Sequence, residues 1–296
     1  MNLNLKELEN ESISIIRSVL RHAANPLIMY SIGKDSSVLM HLFLKAFYPL
    51  RMPVKVLHVD TTWKFKEMIT FRDEFADSNN LDLIVHTNLE GVKQKINPFE
   101  HENYTDIMKT NALVDFLKHG NFDFIFGGAR RDEEQSRAKE RVLSYRNKNE
   151  VWEPTNQNIE PWHHFNVENK KDGSYRVFPL SNWTELDIWQ YIKNEKIKVV
   201  PLYFAKERPV VKRNGQFFLP DDKRFILKEY EKIETKVVRF RTLGCYPLTA
   251  ANESTADNID KIIKEVKNTN SSERSGRLID HDKDGSMEIK KKQGYF

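Results

Sequence analysis

The chain has 296 residues, enough for one large α/β domain with a full hydrophobic core. Its 47 basic and 43 acidic residues leave a formal net charge of +4. This excess is too small to indicate nucleic-acid binding by itself, although small anions stay possible as ligands. The single cysteine, Cys245, excludes an intramolecular disulfide framework and a zinc site made of cysteines alone.

The sequence shows no sign of export or membrane insertion. Its first residues lack the basic and then apolar order of a signal peptide, and no apolar run approaches the roughly 18 residues of a membrane span. We therefore expect a cytoplasmic protein that has neither a membrane nor a nucleic acid as its partner.

Short apolar runs alternate with helical patterns of apolar residues along most of the chain. Because parallel strands need helical crossovers, this alternation predicts an α/β fold with a doubly wound, mostly parallel sheet and helices on both faces. Ligands of such sheets bind beyond the carboxyl ends of the strands. The predicted strands are 27–30, 54–59, 81–86, 122–126 and 176–180, and the predicted helices are 5–22, 36–47, 65–76, 104–119 and one that Thr184 opens with a capping box.

Composition divides the chain into two parts. Residues 1–230 are expected to form the α/β domain, with a long polar surface excursion at 145–175. Residues 231–296 are strongly charged and punctuated by glycine, and we expect them to form an extended C-terminal segment.

The stretch MYSIGKDSSVLMHL follows the first predicted strand and leads into a helix. Such a junction exposes backbone N–H groups at a helix N-terminus, where the helix dipole favours an anion. Gly33 is expected to allow a turn with positive φ and the close approach of an oxyanion. Ser31, Ser36 and Ser37 add hydroxyl donors, and Lys34 adds a mobile positive charge. The loop therefore predicts a phosphate-binding site.

This loop is not one of the two common nucleotide-binding motifs. A Walker A loop would need glycine at position 28 and serine or threonine at position 35, where the sequence has Ile28 and Asp35. The dinucleotide pattern G-x-G-x-x-G is absent as well. A simpler interpretation also stays open, in which Asp35 and the serines only cap an ordinary helix.

The pattern S-x-G-K-D-S resembles the PP-loop of the ATP pyrophosphatase superfamily, whose members cleave ATP between the α and β phosphates and hold the departing pyrophosphate in this loop. In the form SIGKDSS, with Ile32 in place of the usual second glycine, it is similar to the small subunit of the bacterial two-component sulfate adenylyltransferase. Further stretches that resemble this family are 58–65, 127–134, 238–249 and the tail from 272 to 296.

The resemblance implies an adenine nucleotide alpha hydrolase-like fold and a defined reaction. The family transfers AMP from ATP to sulfate, gives adenosine 5'-phosphosulfate and pyrophosphate, and so begins sulfate activation for cysteine biosynthesis. ATP is then a substrate, Mg²⁺ is a cofactor, and the partner is a large GTPase subunit whose GTP hydrolysis drives the reaction. Residues 1–230 would bind ATP, and the segment from 231 is our predicted docking region for that partner in a hetero-oligomer.

The reaction itself indicates which residue types should mark the site. A sulfate oxygen is already deprotonated at neutral pH, so no general base is needed, and the difficulty is to bring one anion against another. Cationic groups relieve that repulsion. Arginines follow predicted strands at Arg130, Arg131, Arg239 and Arg241, although the first two could also belong to a solvated helix face.

Asp60 and a histidine pair are two further positions to consider for the predicted site. Asp60, at the end of the second predicted strand, is expected to orient ribose or a magnesium water, or else to cap the next turn. No metal site made of protein residues alone is predicted, and His163 with His164 is expected to be a loop pair. We therefore predict three groups of site residues. The predicted catalytic residues are Lys34, Asp35, Arg130 and Arg131; the predicted nucleotide-binding residues are Ser31, Gly33, Lys34, Asp35, Ser36, Ser37 and Asp60; and the predicted sulfate-binding residues are Arg130, Arg131, Arg239 and Arg241.

Two alternative functions share some of these features. A phosphoadenylyl-sulfate reductase-like enzyme shares the fold and the loop, but it needs a reactive cysteine in a C-terminal Glu-Cys-Gly-Leu-His motif, which this sequence lacks. A non-catalytic subunit that senses a nucleotide and regulates a partner stays open on sequence alone.

Overall fold

Strands and helices alternate along the part of the chain that the computed structural model describes, which comprises residues 3–134, 137–160, 167 and 173–269. The helices are α1 (Leu3–Leu20), α2 (Lys34–Phe47), α3 (Lys66–Ser78), α4 (Leu89–Lys93), α5 (Ala112–Gly120), α6 (Glu185–Glu195) and α7 (Ile259–Lys267). The strands are β1 (Leu27–Met29), β2 (Lys55–Val59), β3 (Leu83–His86), β4 (Phe124–Phe126), β5 (Leu143–Asn147), β6 (Gly173–Val177), β7 (Lys206–Arg213), β8 (Gln216–Phe218), β9 (Ile233–Arg239) and β10 (Asn252–Glu253).

The main sheet is doubly wound, which confirms the predicted fold class. Its strand order is β3-β2-β1-β4-β6-β5, and every neighbouring pair is parallel except β5 with β6. The chain builds β1, β2 and β3 in one direction and then returns to place β4 on the other side of β1. The order therefore reverses between β1 and β4, and the segments that follow these two strands share the crevice where such sheets bind ligands.

Helices cover both faces of this sheet, because the side chains of a strand alternate between its two faces. On β1, Ile28 belongs to the larger apolar core, which includes Ile16 of α1 and Val38 of α2. Its neighbour Leu27 belongs to a second apolar cluster with Leu113 and other residues of α5. Full burial of each such side chain contributes about 1.5–3 kcal/mol, so both faces of β1 fix the start of the loop that follows it.

The segment 145–175 is not wholly the surface excursion that the sequence predicts. β5 begins before it and pairs antiparallel with β6, from Leu143↔Val177 to Asn147↔Gly173. The prediction was wrong here because the buried polar face of β5 looks like a surface pattern. Arg146 is 0% exposed and its Nη2 lies 2.9 Å from Glu140 Oε1, so an ion pair replaces the apolar contacts expected of a buried strand.

A second, antiparallel sheet has the order β10-β9-β7-β8, and no sequence pattern predicted it. β7 pairs with β9 from Lys206↔Val238 to Val211↔Ile233, so strands from both sides of residue 231 form one sheet. The described part of the segment 231–296 thus folds as β9, β10 and α7, and its tail lies outside the described residues, as do His163 and His164. Among the described helices, none combines the length and apolar character of a membrane span.

A buried histidine connects the first two strands beneath the loop. His58 of β2 is 1% exposed, and its Nδ1 lies 2.8 Å from the carbonyl oxygen of Tyr30. A carbonyl only accepts hydrogen bonds, so Nδ1 carries the proton. Burial, helped by the positive charge of Lys64, lowers the pKa of His58 to about 3.

This pKa predicts a pH dependence of stability. Below pH ~6.5 the unfolded chain binds a proton at His58, whereas the folded chain binds it only near the pKa of about 3. Stability is therefore complete above pH ~6.5, and His58 lowers the free energy of unfolding by up to about 1.4 kcal/mol per pH unit below it. Denaturant titrations between pH 7 and pH 4 measure the free energy of unfolding at each pH. This free energy should fall less steeply with decreasing pH in His58→Gln than in wild type. His119→Gln, at an exposed histidine, is the control, and equal slopes for His58→Gln and wild type would contradict the account.

Candidate functional site

The loop between β1 and α2 turns at Ile32 rather than at Gly33. Ile32 has φ 67° and is fully buried, whereas Gly33 has φ −75° and ψ 164°, an extended conformation open to any residue. The predicted positive φ at Gly33 was therefore wrong. A β-branched residue at positive φ costs of order 1–3 kcal/mol, and burial of the Ile32 side chain in the core offsets this cost.

No side chain of the loop or of the first turn caps the N-terminus of α2, and the one side chain described as accepting from its first N–H groups comes from Tyr203, far along the chain. The backbone N–H of Lys34 donates to Tyr203 Oη at 2.9 Å, and Ser36 Oγ donates to the carbonyl of Gly33 at 2.9 Å. Ser31 Oγ lies 3.2 Å from Ser36 Oγ, and Ser37 is buried one residue further along. Since neither Asp35 nor a serine caps the helix, its first turn presents the features of an anion site.

Glycines lie on both sides of this first turn and differ in the space around them. A Cβ on Gly128, which follows β4, would lie 3.1 Å from the backbone carbon of Asp35 and 3.1 Å from the nitrogen of Ser36. A Cβ on Gly33 would meet nothing nearer than Ser31 Oγ at 3.5 Å. The turn after β4 is thus packed directly on the start of α2, while Gly33 has room for additional atoms.

A buried ion pair joins the segments that follow β1 and β4. Arg130 Nε donates to Asp35 Oδ1 at 2.7 Å, and Lys34 Nζ lies 3.1 Å from Asp35 Oδ2. Arg130 and Lys34 are each only 1% exposed. Burial by itself would raise the pKa of Asp35, but the charges of Arg130 and Lys34 outweigh it and hold that pKa below its ordinary value. Asp35 is therefore an ionised partner of two cations, not a proton carrier near neutral pH.

Glu185 adds a second carboxylate that the sequence reasoning missed. Arg241 Nη2 donates to Glu185 Oε2 at 2.7 Å, and the backbone N–H of Glu185 donates to Asp132 Oδ2 at 3.2 Å. The same Asp132 oxygen lies 3.5 Å from Arg130 Nη1. Burial raises the pKa of Glu185, and the charges of Lys34 and Arg241 with the hydrogen bond from Arg241 lower it further than burial raises it.

We call Lys34, Asp35, Arg130, Glu185 and Arg241 the anion-site cluster. Its three cations are balanced by its two carboxylates together with that of Asp132, which pairs with Arg130 beside the N-terminus of α2. The sequence did contain a signal for Glu185, since it follows Thr184 in the predicted capping box, which the structure confirms. That signal indicated only a helix start.

Three other predicted site residues have their contacts elsewhere in the described structure. Arg131 Nη1 donates to Asn182 Oδ1 at 2.6 Å. Arg239 is 1% exposed, and its Nη2 lies 3.0 Å from Glu265 Oε1 of α7. Asp60 Oδ1 accepts the backbone N–H of Thr62 at 2.7 Å, as a residue that caps a turn does.

The two glycines predict different costs of substitution. Gly128→Ala should lower the free energy of unfolding by about 1–3 kcal/mol, because its Cβ would press on backbone atoms that cannot move independently. Gly33→Ala should leave that free energy unchanged or raise it by up to about 1 kcal/mol, because alanine adopts the same φ and ψ and restricts the unfolded chain. Urea denaturation measures both, and equal losses in the two variants would contradict the described packing.

Comparisons with known proteins show the family of this chain. A family model described as phosphoadenosine phosphosulfate reductase domain matches residues 25–251. Relatives named sulfate adenylyltransferase subunit 2 match nearly the whole chain: that of Trichlorobacter lovleyi is 58% identical, and that of Shewanella sp. strain ANA-3 is 60% identical, each over 99% of this chain and 98% of its own length.

One solved structure supports the fold alone. Candida glabrata FMN adenylyltransferase in complex with FAD and inorganic pyrophosphate has a TM-score of 0.51 at 16% identity, over 93% of this chain and 90% of that chain. The sequence relatives confirm the family resemblance drawn from the loop. The chain belongs to the sulfate adenylyltransferase subunit 2 family of nucleotidyltransferases.

Proposed function

We propose that this chain transfers AMP from ATP to sulfate, which gives adenosine 5'-phosphosulfate and pyrophosphate. The observation that carries the proposal is the anion-site cluster, which lies beside a helix N-terminus without a local side-chain cap at the point where the strand order reverses. Polyanions are bound at such positions by backbone N–H groups, the helix dipole and nearby cations.

The β and γ phosphates of ATP are proposed to lie over the first turn of α2. Gly33 leaves space for a phosphate to approach the backbone, since even a Cβ added there would lie 3.5 Å from the nearest atom, Ser31 Oγ. Lys34 supplies positive charge to the pyrophosphate as it departs. The hydroxyls of Ser31 and Ser36 donate to Ser36 Oγ and to the carbonyl of Gly33 in the described structure, and they would rotate to donate to the bound phosphate. These groups favour cleavage of the α–β bond because they stabilise the charge that builds up on the leaving group.

Arg130 and Arg241 are proposed to bring sulfate in line with the α-phosphate. Both guanidinium groups are held by carboxylates in the cluster, Arg130 by Asp35 and Arg241 by Glu185. The attacking sulfate oxygen needs no base, so Asp35 is assigned the role of holding Lys34 and Arg130 in place. Preorganised cations of this kind lower the repulsion between two anions without reorganising during the reaction.

The contacts of the remaining predicted residues support structural roles. Arg131, in the segment after β4, donates hydrogen bonds to the side chain of Asn182 and to the carbonyl of Glu140. Arg239 of β9 forms an ion pair with Glu265 of α7. The Asp60 carboxylate accepts a hydrogen bond from the backbone N–H of Thr62 in the turn that follows β2. All four arginines have protein partners, so we assign anion contact to Arg130 and Arg241 because these two lie in the anion-site cluster beside the N-terminus of α2.

Magnesium is proposed to enter as part of the MgATP substrate. The described residues contain no group of three or more potential metal ligands, and the carboxylates of the cluster are already paired with cations. Mg²⁺ commonly keeps several waters and binds through substrate phosphates. No step is therefore assigned to a magnesium ion held by protein residues alone.

The partner is proposed to be a large GTPase subunit in the cytoplasm, in a hetero-oligomer whose GTP hydrolysis drives the reaction. The names of the relatives as subunit 2 support a multi-subunit enzyme. For docking we propose the outer face of the second sheet, where Ile233 is 53% and Val237 is 42% exposed, together with Tyr230 at 77%. This face belongs to the same strand that leads into Arg241, so a docked partner would contact an element of the site.

The two alternative functions, a reductase-like enzyme and a non-catalytic nucleotide sensor, have less support from the described contacts than adenylyl transfer has. A reductase of this fold needs an accessible reactive cysteine, whereas the only cysteine, Cys245, is 3% exposed. A nucleotide sensor would need the loop and no chemistry, and activity measurements separate it from an enzyme.

The complex of this chain with the large subunit should form adenosine phosphosulfate from MgATP only when sulfate is present. Lys34→Ala should reduce the turnover number at least about 100-fold, as removal of one group that stabilises transition-state charge typically does. Lys55→Ala, at an exposed lysine of β2, is the matched control and should keep wild-type turnover. The product is followed by chromatography. ATP binding without product, together with a GTPase rate that responds to ATP, would instead support the sensor.

The docking proposal makes a separate prediction. Val237→Asp should weaken binding to the large subunit at least about tenfold, because it places a charge in an apolar contact. Leu50→Asp, at a residue that is 76% exposed elsewhere on the surface, should bind like wild type. Surface plasmon resonance measures both. Unchanged affinity of Val237→Asp would place the interface on another face.

A further inference from the structure

Two arginines that lie two residues apart at the end of β9 have different carboxylate partners. Arg239 pairs with Glu265 of α7, and Arg241 pairs with Glu185 of α6. Only the second pair belongs to the anion-site cluster. The two pairs therefore form a natural comparison between an ion pair that supports the fold and one that also faces the reaction.

The Glu185–Arg241 pair is well defined and largely buried. The two side chains are 7% and 14% exposed, and the Glu185 carboxylate accepts from Arg241 Nε at 3.3 Å and from Nη2 at 2.7 Å. Two contacts on one edge of a guanidinium fix the plane of the group as well as its position. The carboxylate thus determines in which direction Arg241 presents its charge.

The position of Glu185 is itself fixed relative to the rest of the cluster. It is the first residue of α6, where Thr184 and Asp187 form a reciprocal capping box. Its backbone N–H donates to Asp132 Oδ2, and the same oxygen lies 3.5 Å from Arg130 Nη1. Glu185 is therefore linked to Arg241 through its carboxylate and to Arg130 through Asp132, and these are the two arginines to which we assign anion contact.

We propose that Glu185 is a positioning residue for sulfate, and that it acts by holding the guanidinium of Arg241 next to Arg130. This inference rests on the proposed adenylyl transfer to sulfate. Sulfate is a small anion with few possible contacts, so a displaced arginine removes a large share of its binding. ATP has a base, a ribose and three phosphates, and it depends far less on any one side chain.

Steady-state kinetics of the complex with the large subunit test this proposal. Glu185→Gln keeps the shape of the side chain and removes its charge, and it should raise the KM for sulfate about tenfold or more, while the KM for MgATP changes by less than about threefold. Arg241→Gln should do the same. The double variant should be no worse than Arg241→Gln alone, because Glu185 has no effect on sulfate once its arginine is gone.

Glu265→Gln is the matched control, because it removes the partner of Arg239 and should leave the KM for sulfate within about twofold of wild type. Thermal unfolding checks that each variant is folded, and Glu185→Asp, a shorter carboxylate, should give an intermediate KM if Glu185→Gln is unstable. An unchanged KM for sulfate in Glu185→Gln, a full additional loss in the double variant, or an equal rise in Glu265→Gln would overturn the inference. A wild-type complex that makes no adenosine phosphosulfate would instead overturn the proposed function.

Discussion

The buried ion pair between Arg130 and Asp35 is the interaction on which the site depends. Arg130 follows β4 and Asp35 lies in the first turn of α2, after β1, so the pair joins the two halves of the doubly wound sheet where their order reverses. A buried guanidinium is costly unless it is paired and hydrogen-bonded, and removal of one partner of such a pair typically costs about 3–5 kcal/mol. Loss of either partner would leave the other charge unpaired, so the same contact links the segment after β4 to the charge at the site.

The charge balance of the cluster explains how three cations can lie close together before any ligand binds. Three cations packed together without carboxylates would repel one another, and Asp35, Glu185 and Asp132 balance their charge. Asp35 and Glu185 both have lowered pKa values, so both stay ionised near neutral pH and neither is suited to general acid or base catalysis. An electrostatic mechanism suits a reaction whose nucleophile is already an anion.

Sequence patterns predicted the main sheet and the loop because both depend on local signals: apolar strands, helical periodicity and a dense set of phosphate-binding residue types. Other features depend on contacts between distant residues. Glu185 and Arg241 are 56 positions apart, β5 is buried by way of its ion pair with Glu140, and β9 forms a sheet only by pairing with β7. The positive φ at Ile32 is likewise supported by core packing, which one sequence does not display.

The central claim is that this chain cleaves ATP between the α and β phosphates, with pyrophosphate as the leaving group at the loop before α2. The most direct test is to follow ATP labelled with ³²P in its γ-phosphate during turnover with sulfate and the large subunit. The account predicts that the label is released as pyrophosphate, in an amount equal to the adenosine phosphosulfate formed. Release of the label as orthophosphate, with ADP as the other product, would place cleavage at the β–γ bond and contradict the account.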